Sequence, residues 1–135
     1  GTHETRIPAL ERVRGDWVTF LDADDYVVAD RYATMLAAAN DCDLVWGDVV
    51  EERDGKFYYH PFSRAMKRLI PMEGSEILLS MLDSAGYEYE WHVLCSRIYR
   101  NDLVRKVLPF LKERHGKLVM CEDVGWSIAF AGSAK

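Results

Sequence analysis

The stretch Gly15–Asp25, GDWVTFLDADD, decides how the rest of the chain is read. A short apolar run, Trp17 to Leu21, ends abruptly in three carboxylates within four positions: Asp22, Asp24 and Asp25. A run of that length bounded by polar residues predicts a buried strand. The acids then stand where the strand leaves the sheet, which in open α/β sheets is the edge where ligands bind. Carboxylates this close repel one another, and a divalent cation relieves the repulsion by taking their oxygens as ligands. A turn or a helix cap would account for one aspartate. Three of them straight after a strand point to a metal or metal-nucleotide site, and hard oxygen donors favour Mg2+ or Mn2+ over zinc.

Composition narrows the function classes. The 135 residues suffice for one domain with one core. The formal charge of −5 argues against a nucleic-acid backbone as partner, since such binders carry a basic patch. No apolar run is long enough to span a bilayer, and no signal peptide is visible. The expected location is therefore cytoplasmic, with peripheral contact at the inner face of the membrane as a variant. Cys42, Cys95 and Cys121 are odd in number and widely spaced, which fits buried thiols in a reduced protein better than a disulfide framework or a zinc site.

Outward from the central stretch, residues 8–14 (PALERVR) read as the end of a helix with Pro8 near its start, stopped by Gly15. Downstream, Asp30 is an expected N-cap for a helix over RYATMLAAAN. Tyr32, Met35, Leu36 and Ala39 fall on one face of it. A second apolar run, LVWGDVVEE, leads to the turn signal Asp54-Gly55 and then KFYYHPF, which predicts a hairpin of 44–53 with 56–60. Residues 61–72 are basic and carry two prolines; they read as a solvated loop or as a flap touching an anionic ligand. A helix follows over 74–83, then the polar-aromatic GYEYEW. HVLCSRIYR reads as a strand, and Asn101 caps a helix that Pro109 breaks. Residues 113–118 read as a loop, and a last helix begins near Asp123. Alternating strands and helices with one antiparallel hairpin make the class α/β with a mixed sheet.

Two further features carry chemistry. Glu122 and Asp123 open a helix, where a carboxylate is either a cap or a general base that takes a proton from an attacking hydroxyl. Trp91-His92 is either a packed pair or, if it borders the cleft, a platform on which a sugar ring stacks. No Ser-His-Asp arrangement, P-loop or GxGxxG is present.

These residues resemble the family 2 glycosyltransferases. GDWVTFLDADDYV is similar to the glycine-aspartate, hydrophobic, FLDxDD signature of that family. DLVWGDVVEERDG looks like the strand and hairpin that follow it. CSRIYRNDLV looks like the segment ending in Tyr-Arg before a helix, and CEDVGW like the Glu-Asp motif. The resemblance runs in order from about Ala9 to Ala131. It implies a GT-A fold, the Rossmann-like fold of nucleotide-diphospho-sugar transferases. It also implies that Asp22 and Asp24 bind the nucleotide-sugar, for instance a UDP-sugar, with Asp24 and Asp25 on Mg2+ or Mn2+. Asp123 would be the base of an inverting transfer, and Trp91, His92 and Glu122 would line the side of a carbohydrate or lipid-linked acceptor. Family members begin with a strand, a turn and an early aspartate that build the nucleotide pocket. This sequence starts in the helix before the Asp-x-Asp strand, and it lacks the Gln-x-x-Arg-Trp motif of processive members. The expectation is thus a single domain, 1–135, corresponding to the C-terminal, metal and acceptor part. Its role is either a glycosyltransferase fragment or a truncated non-catalytic remnant that acts as a binding module. An uncovered sheet edge predicts a homo-oligomer in both cases.

Overall fold

A computed structural model describes residues 2–59, 72–73, 75–83, 93–113 and 122–135. Among these residues are five α-helices and two antiparallel sheets. Helix α1 (Thr2–Glu11) leads into strand β1 (Trp17–Thr19), and α2 (Arg31–Ala38) into β2 (Leu44–Trp46). Strands β3 (Val50–Arg53) and β4 (Lys56–Tyr59) pair with each other. Then come α3 (Ser75–Asp83), a 3-10 turn at Leu94–Ser96, β5 (Arg97–Arg100), α4 (Asn101–Lys112) and α5 (Glu122–Ala131).

The main sheet runs β1-β5-β2, and β5 is antiparallel to both neighbours. The expected mixed sheet is thus replaced by antiparallel pairing among the described residues. The register sets Val18, Tyr99 and Leu44 in one row across the sheet. Arg97 and Trp46 pair two residues along on the same face. Onto that face pack Leu103, Val104, Val107 and Leu111 of α4, Trp126 and Phe130 of α5, and Leu10 of α1. Each such side chain contributes about 1.5–3 kcal/mol on burial. Trp126 is fully buried, edge-on to Phe20 at 5.6 Å, and its Nε1–H donates to His3 Nδ1 at 2.8 Å. A buried indole N–H without a partner would be costly, so His3 fixes α1 against α5. Arg97 is also buried. Its guanidinium lies over the Trp46 ring at 4.2 Å and donates to Ser127 Oγ, contacts that offset its desolvation.

Several expectations change in the fold. The run Trp17–Leu21 is strand only to Thr19, which pairs with Ile98 as the last rung of the β1–β5 ladder. Thr19 Oγ1 donates to the Arg97 carbonyl at 2.8 Å and closes the ladder. Phe20 still points into the core, whereas Leu21 is exposed. The first helix runs from Thr2 with Pro8 inside it, and ends before Gly15. Asp30 precedes α2 but makes no side-chain cap bond; its φ is 64°, and only its carbonyl accepts, from the Thr34 N–H. On α2, Met35 and Ala39 are buried and Leu36 is exposed.

The expected hairpin is divided. Leu44–Trp46 joins the main sheet, where it pairs with β5 and is half-buried, and only 50–59 form the hairpin. The break falls at Gly47, whose N–H donates to the Ser96 carbonyl and whose Cα lies so close to Met35 that an added Cβ would stand 3.1 Å from its Sδ. The Asp54-Gly55 turn is as expected: both residues have positive φ, 52° and 71°, as a two-residue type I′ connection requires. Strand β5 starts at Arg97 rather than at His92, the turn 94–96 preceding it. Pro109 does not break α4, which continues to Lys112. Its missing N–H costs one helical bond, and the stripe Leu103, Val104, Val107 and Leu111 packs on both sides of the gap. Asn101 opens α4 without capping it; its Nδ2 donates to the Gly15 carbonyl at 2.7 Å and its backbone N–H to the Asp16 carbonyl. Among the described residues Cys42 and Cys95 are free thiols, both half-buried rather than in the core. No helix of the described residues is long and apolar enough to cross a membrane. The basic connection 61–71, GYEYEW, Trp91-His92, residues 114–120 and Cys121 lie outside the described residues.

Candidate functional site

The acids stand at the end of β1, on a turn closed by the Asp25 N–H donating to the Asp22 carbonyl at 3.1 Å. That turn lifts the chain off the sheet directly after the buried Phe20, so the acids are delivered to the surface at a fixed point. Asp22, Asp24 and Asp25 are all exposed. The turn folds Asp22 and Asp25 toward Cys95, and one donor atom of each lies within 4.8 Å of the other two. Asp24 lies outside that group. Cys95 comes from the turn before β5, and Arg31 holds that turn: its guanidinium donates to the Cys95 carbonyl and to the Asp48 carbonyl.

Burial first, then the negative charges of Asp25 and Asp22, push the Cys95 thiol up to about 11 from an ordinary 9.0. The thiol is therefore protonated at neutral pH and donates toward Asp25. The group offers a cation two carboxylates and one thiol, and its carboxylate oxygens are the kind of donor that suits Mg2+ or Mn2+.

Asp123, on the first turn of α5, joins the same site through Arg6 of α1. Arg6 Nη1 donates to Asp123 Oδ1, and Arg6 Nη2 to Asp22 Oδ1 at 3.2 Å. The guanidinium lies over the Phe20 ring at 5.4 Å from its centroid. Two acids a hundred residues apart in sequence thus share one cation. On the other flank Tyr26 Oη donates to Glu52 Oε2 at 2.5 Å, tying the acid turn to the hairpin. That bond, above all, raises the Tyr26 phenol above its ordinary range. The hairpin register places Glu52 opposite Phe57, which is exposed.

Of the expected site residues, the structure brings Asp22, Asp25 and Asp123 together and leaves Asp24 on the exposed tip. Trp91 and His92 lie outside the described residues, as does the side chain of Glu122. Arg6, Cys95, Tyr26 with Glu52, and Arg31 were missed. Arg6 had a signal: His3, Arg6 and Leu10 share one face of α1, and His3 and Leu10 are buried. Reading the helix only from Pro8 hid it. Cys95 had none, because a 3-10 turn placed it where a strand was expected.

Residues 1–108 match the family model described as Glycosyl transferase family 2, four fifths of the chain, with the acid turn inside the match and Asp123 beyond it. Neither curated proteins nor solved structures give a match. The order of the elements around the acid turn and the extent of that match lead to one statement: the chain belongs to glycosyl transferase family 2.

Proposed function

We propose that this chain is the metal and acceptor part of a partial GT-A domain that transfers a sugar from a nucleotide-sugar, such as a UDP-sugar, to a hydroxyl of a carbohydrate or lipid-linked acceptor, with inversion. Family membership supports glycosyl transfer as the reaction class. The observation that carries the finer reading is the convergence of Asp22 and Asp123 on Arg6. It supports one site in which an acid at the strand end and an acid at a helix start face the same space.

In this reading Asp22 and Asp25, with Asp24 beside them, would hold Mg2+ or Mn2+. When bound, the cation supplies positive charge beside the diphosphate leaving group. Asp123 accepts the proton of the attacking hydroxyl at a carboxylate oxygen, which raises the nucleophilicity of that hydroxyl. Its place on the first turn of α5 favours the charged form that this role needs. Arg6, packed on Phe20, keeps the carboxylate aimed at the acid turn.

Calorimetric titration of the chain with UDP in Mn2+ tests this, with Asp24→Ala and Asp22→Asn as controls. The expected result is binding that requires Mn2+ and is lost in both variants. A folded chain that binds no UDP, or binds it equally without Mn2+, overturns the reading. Comparing the two variants ranks the exposed tip acid against the acid that converges with Asp25.

A further inference from the structure

We propose that Arg6 is a positioning residue that couples the cation site to the base: one guanidinium is shared between Asp22 and Asp123, so a divalent cation on Asp22 alters how tightly Asp123 is held, and the reverse. This rests on the reading of Asp22 as part of the cation site.

The geometry is a divided fork. A guanidinium presents paired N–H donors suited to a single carboxylate. Here Nη1 serves Asp123 and Nη2 serves Asp22. Neither acid has the whole fork, so each holds a share that the other can take. The three groups also differ in access to water. The Arg6 side chain is 12% exposed, against 49% for Asp22 and 30% for Asp123. Arg6 lies over the Phe20 ring and is the least exposed of the three, so turning it out to solvent would give up that contact and both acids. Its charge is permanent. It therefore redistributes between the two acids rather than leaving them.

A divalent cation arriving at Asp22 meets Arg6 as a competitor. It takes the lone pairs that accept from Nη2 and repels the guanidinium, and the freed donor turns to Asp123. Reciprocity is a thermodynamic requirement: whatever cation occupancy of Asp22 does to the Arg6–Asp123 pair, formation of that pair does to cation binding. Without the Asp123 charge, Arg6 commits to Asp22 and opposes the cation more strongly. Without Arg6, the acid turn loses the cationic side chain that the described residues pair with Asp22. The site is thus tuned so that Asp123 is gripped hardest when the cation is in place.

The test is a double-mutant cycle read by Mn2+ binding to the 135-residue chain, following the free-ion signal by electron paramagnetic resonance. Circular dichroism checks each variant for folding. Arg6→Gln is expected to tighten Mn2+ by about threefold, the scale of one partly exposed ion pair. Asp123→Asn is expected to weaken Mn2+ by a similar factor in the wild-type background and by less than about 1.5-fold in the Arg6→Gln background. Arg6→Lys keeps the charge but not the fork; its expected result is loss of the dependence on Asp123. If Arg6→Gln fails to fold, the Arg6→Lys pair of measurements decides the matter alone. An Asp123→Asn effect of equal size with and without Arg6 overturns the coupling while leaving the cation site standing, as does weaker Mn2+ binding in Arg6→Gln. No Mn2+ binding in any folded variant removes the cation site, and the coupling with it.

Discussion

The two ends of β1 live in different surroundings. At its start, Asn101 and the α4 stripe clip the chain into a core where Tyr99, Val107, Trp126 and Phe130 have no contact with water. At its end, from two residues beyond Thr19, every side chain from Leu21 to Asp25 is exposed, and order comes from single polar contacts: Arg6 with Asp22, and Tyr26 with Glu52. The first region is held by area and the second by a few directional bonds. Substitutions in the first are therefore expected to act on stability, and, under the proposed function, substitutions in the second on binding and rate.

The strongest way to break the contrast is Trp126→Ala. It removes a fully buried ring and leaves the His3 acceptor unpaired, with an expected loss of about 3–5 kcal/mol in chemical denaturation. Next in size, Asp123→Asn is expected to leave the unfolding midpoint within about 1 kcal/mol of the parent while cutting sugar transfer from UDP-sugars at least about a hundredfold. Equal damage to stability by the two substitutions would erase the distinction. The Cys95 thiol sharpens it at the border. With its ionisation pushed up to about 11, its thiolate fraction at pH 8 is about a hundredfold below that of a thiol at 9.0. Iodoacetamide at that pH should therefore label Cys95 far more slowly in the folded chain than in the chain unfolded in denaturant. The same shift fixes a sign. The folded state holds the proton more tightly than the unfolded one, so stability is intact below pH 9 and declines as pH rises toward 11. Cys95→Ser should flatten that part of the profile.

Smaller effects follow on either side. Pro109→Ala restores the missing N–H on an exposed face of α4 and is expected to raise stability by about 1 kcal/mol. Tyr26→Phe deletes a surface bond, and thermal melts should move by less than the equivalent of about 1 kcal/mol.

Much of this arrangement could be read from the residues, and the parts that could not share a cause. The apolar run into the acids, the Asp54-Gly55 turn, the helix after Asp30 and the helix at Asp123 each carry a local signal, and each is present. Pairing partners are not local. Nothing in LVWGDVVEE states that Leu44–Trp46 prefers β5 while Val50–Arg53 prefers β4; the distant partners Ile98 and Arg97, the latter stacked on Trp46, are supplied by the fold. Pro109 misled for the opposite reason: a strong local rule yielded to a buried stripe with several times its energy. In the site, three acids were visible as a cluster, but Arg6 is one of 17 basic residues and gains meaning only from the fold.

Strand β5 passes into α4 with no intervening loop, and the first residue of the helix bonds back to the segment before β1 through both its backbone N–H and its side chain. In hydrogen exchange this joint is a timekeeper. The Asn101 amide opens only when β1 separates from the α4 end of β5, so it exchanges with the slowest class, whereas the Asp25 amide exchanges with the turn alone. The interval between those two signals measures how far the acid turn can loosen, to admit and release ligands, before the sheet beneath it gives way.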